Sequence, residues 1–324
     1  MIKCSTILEH FEEEKSDMSL IKNIRDLFNS NHSSEKLVFE PLLKSLLSMA
    51  WFVEARDPYT GGHLWRVSQF SYLLAKKSGL SEAMAAQISL GGFLHDLGKI
   101  GISDSILRKT ERLTDEEYNV IKTHPEVGFR LISDHPLAEV IKDAVLSHHE
   151  RPDGKGYPHG LNSESLSPMA KIVGICDAFD AMTSSRPYRK GMTEEKALSI
   201  LLSEKDAQFD GSLVDAMQML SIDGKLKHII GHTDEGIPLH NCPMCGPTLV
   251  VKKDHQVGDQ ISCNSCHAEF GLAVDGQGIM VPTPTGKNVS AAQRGVDLDE
   301  HVIESTLILM RKNLSQGVLK PLLS

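Results

Sequence analysis

Among the 15 histidines of this chain, His63, His95, His124 and the pair His148-His149 stand at four separated places that each coincide with a break in an otherwise helical pattern. No single helix can bring such residues together, so the chain must fold as several helices whose ends converge. Asp96 directly follows His95. Asp177 lies in the apolar run Val173-Gly174-Ile175-Cys176-Asp177-Ala178-Phe179, where a buried carboxylate needs a cation or a donor. Neutral imidazoles with carboxylates are the donor set of a multi-cation hydrolytic centre acting on a phosphoester. A lone histidine on a helix is more often a cap or a solvated residue; the recurrence at helix ends is what argues for ligands.

The helices follow from apolar spacing. Over residues 37–54, Phe39, Leu42, Leu43, Leu46, Leu47, Ala50 and Val53 recur at three and four, which predicts a helix with one buried stripe. Asp57-Pro58 and Gly61-Gly62 interrupt it, so a second helix starts at His63 and ends at Gly79. A third runs from near Ser81 to Gly98 and carries His95-Asp96 in its final turns. Thr114-x-x-Glu117 is a capping box, with Leu113 and Tyr118 placed as a hydrophobic staple, for a helix that His124-Pro125 closes. Further helical patterns cover 126–149, 168–183, 193–203 and 211–220, and no alternating pattern is strong before residue 245. The expected fold is mainly α: a helical bundle over 37–224, preceded by a polar helical extension over 1–36.

After Gly224 the character changes, with closely spaced Gly and Pro and two knuckles, Cys242-Pro-x-Cys245 and Cys263-x-x-Cys266. Seventeen residues separate the knuckles, which is the spacing of a structural four-sulfur zinc site. Residues 225–282 are therefore expected to form a small zinc ribbon whose metal supplies much of its folding energy. Short strands near Leu249-Val251 and Ile261 would bring the knuckles together, and His240 and His267 are expected to be bystanders. Cys4 and Cys176 read as ordinary free thiols. Residues from 283 onward are expected to be a linker and then a C-terminal helix carrying Val302, Ile303, Thr306, Leu307 and Met310. The C-terminal part is also the expected contact for a protein partner or a second copy of the chain.

Composition narrows the partners. Forty-three acidic against 34 basic residues give a net charge of −9, which argues against charge-driven binding to nucleic acid or to an anionic membrane. The N-terminus has no apolar signal core and no 18 uncharged apolar residues run together, so a soluble, cytoplasmic protein is expected.

Longer motifs connect these residues. His95-Asp96-x-Gly98-Lys99 resembles the signature of HD-domain metal-dependent phosphohydrolases, and His148-His149-Glu150-x-x-Asp153-Gly154-x-Gly156-Tyr157-Pro158 resembles the extended motif of their HD-GYP subfamily. Agreement continues through Asp57–His63, Lys122–Pro125, Asp177–Met182 and Arg186–Arg189, so the resemblance covers about residues 37–220. It implies hydrolysis of cyclic di-GMP to pGpG, or on to GMP, at two or three iron- or manganese-type ions. The implied ligands are His63, His95, Asp96, His124, His148, His149 and Asp177, with Asp96 bridging. A carboxylate has two oxygens to span two cations, whereas an imidazole serves one, and cations lower the pKa of a coordinated water.

The remaining motif residues fall around the implied substrate. Lys99 reads either as a cation facing a phosphate oxygen or as an exposed lysine behind a C-cap glycine; the resemblance favours the first. Arg186 and Arg189 match substrate-binding positions, and their guanidinium forks suit phosphate or guanine, the alternative being two solvated loop arginines. Gly156 and Tyr157 are expected in a turn beside the cations, where glycine lets backbone approach a ligand.

Two departures from the family pattern matter. Where some members carry a glutamate for a third ion, this chain has Pro58 and Tyr59, so two ions are expected, with Glu54 or Asp57 as substitute carboxylates. The first 36 residues are too few for a receiver or sensory domain, which points to the cysteine module for any input. Two other functions compete: hydrolysis of another cyclic dinucleotide or a nucleotide, and binding of the messenger without appreciable cleavage.

Overall fold

The computed structural model describes residues 32–185, 189–290 and 297–313. The N-terminal extension to residue 31, with Cys4, and Arg186 lie outside the described residues. Helix α1 (His32–Glu54) leads into α2 (His63–Lys77), which packs against α3 (Glu82–Leu94) at the centre of the molecule. Small residues allow that close crossing: Gly92 of α3 lies against Ser71 and the Val67 carbonyl, and the Ser68 and Ser89 hydroxyls bond at 2.9 Å. Ser81 caps α3 by accepting from Met84 N–H, as serine at this position commonly does.

A 3₁₀ turn (Leu97–Gly101) and the short α4 (Asp104–Leu107) follow, then α5 (Asp115–Ile121), opened by the Thr114–Glu117 capping box with both reciprocal bonds present. Here the structure differs from the spacing-based reading. His124-Pro125 begins a helix, α6 (His124–Ile132), instead of ending one, because proline is best tolerated in the first turn, where its missing N–H would have no partner. The pattern over 126–149 also divides, into α6 and α7 (Ala138–Ser147), since Pro136 cannot continue a helix and restricts His135 before it. Helices α8 (Pro168–Thr183), α9 (Glu194–Ser203) and α10 (Gly211–Ile222) start at the caps Ser167, Thr193 and Asp210. The edge-to-face pair Phe70–Phe179, 5.3 Å between centroids, locks α8 onto α2.

The C-terminal part contains two short hairpins, β1 (His232–Asp234) with β2 (Ile237–Pro238) and β3 (His240–Asn241) with β4 (Thr248–Leu249). An antiparallel sheet of β5 (Gln260–Ser262), β6 (Ala268–Val274) and β7 (Met280–Asn288) follows. Residues 283–288, read from sequence as linker, are strand: Pro284, like Pro282 before it, pairs with β6 (Phe270 and Leu272 respectively) at the sheet edge, where a missing N–H leaves no gap in the ladder. Cys242, Leu249, Cys263 and Phe270 make a small core of their own. Helix α11 (Glu300–Asn313) does not stay with the ribbon. It returns to the helical body and buries Val302, Ile303, Leu307 and Met310 in the main core beside α1 and α3.

Candidate active site

A different helix end delivers almost every candidate ligand. His63 is the first residue of α2, behind Gly62, whose φ of 75° is a left-handed conformation that glycine adopts without strain. His95 caps the C-terminus of α3, and Asp96 opens the 3₁₀ turn. His124 begins α6, while His148 caps α7 and His149 follows it. Asp177 alone lies mid-helix, on α8. Two glycines permit the convergence: a methyl on Gly98 would overlap the His124 carbonyl, and one on Gly174 the His148 carbonyl.

Hydrogen bonds set each ring. His95, His124 and His148 donate Nδ1–H to the carbonyls of Gly92 (2.8 Å), Ile121 (2.8 Å) and Ala144 (2.6 Å), and His63 donates Nδ1–H to Asp180 Oδ2 (2.8 Å). Carbonyls only accept, so the His95, His124 and His148 rings hold their proton on Nδ1 and turn a bare Nε2 inward, the usual support of a metal-ligating imidazole.

The inward atoms form the groups His63–His95–Asp177 and His124–His148–His149, and one histidine of each, His95 and His148, groups again with Asp96, the ligand atoms of each group lying within 4.8 Å of one another. Asp96 lies between them. Its Oδ2 is 3.6 Å from His63 Nε2 and 3.4 Å from His95 Nε2, while its Oδ1 is 3.4 Å from His124 Nε2. Ligand atoms on one cation at bonds near 2.1 Å lie about 3.0–3.4 Å apart, so this spacing is close to that of a formed site. Two observations show that the residues fit a cation. His95 Nε2 is buried with no hydrogen-bond partner, and the Nε2 atoms of His124 and His148, both lone-pair acceptors, face each other at 3.2 Å.

The electrostatics point the same way. Burial, reinforced by neighbouring imidazoles, lowers His124 to about 4, His149 to about 3 and His148 well below its ordinary value, leaving three neutral donors at neutral pH. Burial also lowers His63, but the hydrogen bonds to Asp180 and Asp96 outweigh it and raise the group to about 9. Burial pushes Asp96 up, and the charges of Lys99 and His95 overcome this, holding it ionised well below the usual carboxylate range. Asp177 is likewise raised by burial and lowered further by His95 and His63.

Lys99 donates to Asp96 Oδ2 at 2.5 Å and reaches the surface at the junction of two clefts. One, of 460 Å³, runs past His149, Tyr157, Lys171 and Asp177; the other, of 750 Å³, runs past Tyr59, Lys109, Arg112 and Arg189. Lys99, Tyr118, Ile121 and Ala181 form their shared wall. Tyr157 stacks on His149, 4.7 Å between centroids, and Gly156 has backbone of Glu150 and Arg151 where a side chain would go. The buried Glu150 ties down the far side of that loop through the His159 and Leu161 N–H groups, at 2.7 and 2.9 Å. Arg189 gives its guanidinium to the Ala181 and Met182 carbonyls at the end of α8 while lining the second cleft. Of the substitute carboxylates, Glu54 is buried beside His63 but accepts from Leu64 N–H, and Asp57 accepts from Tyr59 N–H; neither joins a ligand group.

Sequence reasoning assigned no role to Asp180 and Arg66. Both are buried, and each lies three residues after a candidate ligand on the same helix face, Asp180 after Asp177 and Arg66 after His63. That spacing was the available signal.

Away from this centre, Cys242, Cys245, Cys263 and Cys266 form a separate group, with Sγ–Sγ distances of 3.5–3.7 Å. A disulfide needs about 2.05 Å, whereas sulfurs at bonds of 2.3 Å around a tetrahedral ion lie about 3.75 Å apart.

These features define a class: the chain belongs to the HD domain family, whose model matches residues 48–213. It is similar to the cyclic di-GMP phosphodiesterase response regulator RpfG of Xanthomonas campestris, 36% identical over 66% of this chain and 57% of that protein. A cyclic di-GMP phosphodiesterase of Thermotoga maritima is 36% identical over 64% of this chain and 55% of its own length. The 3'3'-cGAMP-specific phosphodiesterase 2 of Vibrio cholerae is 33% identical over 60% of this chain and 36% of its own. The chain thus spans little more than half of the first two relatives.

Proposed function

We propose that this protein is a metal-dependent phosphodiesterase of the HD-GYP type that hydrolyses cyclic di-GMP to pGpG in the cytoplasm. The observation that carries the reading is Asp96, placed between two imidazole-rich ligand groups and bonded to Lys99, which lines both arms of the cleft. Two cations of the iron or manganese type suit these groups, held by His63, His95 and Asp177 on one side and His124, His148 and His149 on the other; when bound they polarise a phosphate and lower the pKa of water. Lys99 meets negative charge growing on the phosphate, and the two arms accept the two nucleosides. His149 and Tyr157 form an aromatic wall in one arm, while Lys109, Arg112, Arg189 and, by resemblance, Arg186 supply donors to the other. Zinc is the ion that best suits the four cysteines. Similarity to a 3'3'-cGAMP-specific enzyme favours that dinucleotide as the second candidate substrate.

The test is turnover of cyclic di-GMP, 3'3'-cGAMP and a nucleotide monoester by manganese-loaded protein, with product identification. Lys99→Ala is expected to lower kcat about 10²–10³-fold while bound manganese is unchanged. Preference for the monoester, or saturable dinucleotide binding without turnover, overturns the assignment. Loss of manganese in Lys99→Ala would instead make Lys99 structural.

A further inference from the structure

One of the four histidines whose Nδ1 is bonded is held differently from the other three. His95, His124 and His148 are oriented by backbone carbonyls three or four residues earlier in the chain. His63 is oriented by Asp180, 117 residues away. Asp180 in turn is held by Arg66, whose Nε lies 2.5 Å from Oδ1 and whose Nη2 lies 3.1 Å from Oδ2. The same guanidinium, 1% exposed, extends Nη1 the other way, to the carbonyls of Gly61 at 3.1 Å and of His232 in β1 at 2.8 Å. One buried fork therefore joins the His63 ring to the backbone of the C-terminal segment.

That segment also clamps the loop leading into His63. Thr248, three residues beyond Cys245, donates its N–H to the Pro58 carbonyl at 2.9 Å. The methyls of Thr248 and Val250 fill the space at Gly61, and Thr233 lies against Gly62. The group formed by His124, His148 and His149 has no such tether among the hydrogen bonds of the described residues.

We propose that Arg66 is a positioning residue through which the docked C-terminal segment holds His63, so that the four-cysteine module sets the cation affinity of the His63 group and not of the His124 group. The inference rests on the reading that these groups bind cations. A guanidinium can bond Asp180 and two outward carbonyls at once; an ammonium in its place can keep the charge but not that geometry.

The experiment is manganese binding to the full chain by titration calorimetry, with folding followed by circular dichroism. In Arg66→Lys, one of two manganese sites is expected to weaken at least tenfold while the other is unchanged. Thr248→Pro, which removes the donor to Pro58 without touching a ligand, should produce the same selective loss. Equal weakening of both sites, or unchanged binding in either folded variant, overturns the proposal. If the wild-type chain binds no manganese that Asp96→Asn abolishes, the cation reading itself fails, and that result is distinct.

Discussion

His124 and His148 point two unprotonated nitrogens at each other across 3.2 Å, an arrangement that a cation relieves and water-free packing does not. Close by, Glu54 presents the opposite problem, a carboxylate that burial raises to about 7 despite His63, the Leu64 N–H and Arg66, which all act to lower it. Because its folded value lies above the unfolded 4.5, Glu54 favours folding most below about pH 4.5, and that contribution is lost as pH rises through 7. Glu54→Gln keeps an oxygen for Leu64 N–H and does not ionise. In metal-free protein, the stability of this variant relative to wild type should therefore rise by up to about 3 kcal/mol between pH 5 and 8. Urea unfolding at several pH values measures this; a difference independent of pH would refute it. At this scale the motif residues were legible because their types are unusual at helix ends. The pairing of Asp180 with Arg66 was not, since sequence shows that a buried carboxylate needs a partner but not which cation supplies it.

Among the elements, helices whose apolar spacing begins just after a Ser, Thr or Asp N-cap were readable to within a residue or two, as α8 and α9 show. Reading failed where proline has two meanings. Pro125 starts a helix and Pro136 stops one, while Pro282 and Pro284 sit in an edge strand, and spacing alone does not separate these cases. The contact between the 3₁₀ turn and α6 is a further feature that only the fold reveals. A methyl at Gly98 has the His124 carbonyl and Gly128 N in its way, so Gly98→Ala must move the start of α6 away from Asp96. The expected result is a loss of about 1–3 kcal/mol in thermal unfolding together with reduced manganese binding. Full binding in a destabilised variant would show that α6 recovers its place.

The whole molecule is organised by where the chain returns. The ribbon's own core holds little beyond Leu249, Phe270 and two of its cysteines, so its order should depend on metal. Cys263→Ser is expected to speed hydrogen exchange at backbone amides such as Cys242, Cys263 and Leu272 at least a hundredfold, with the interior of α3 unaffected. Protection equal to wild type would show that packing alone suffices. The ribbon's existence was legible from the cysteine spacing, whereas its docking was not, because Gly61 and Thr248 carry no pattern that announces contact.

Since α10 precedes the ribbon and α11, after it, is buried beside α1 and α3, the ribbon is in topological terms an insert anchored at both ends to one body. A module strung on a single tether can tumble freely and signal only by collision. One whose flanking helices both pack into the same body is restricted in how far it can move from that body.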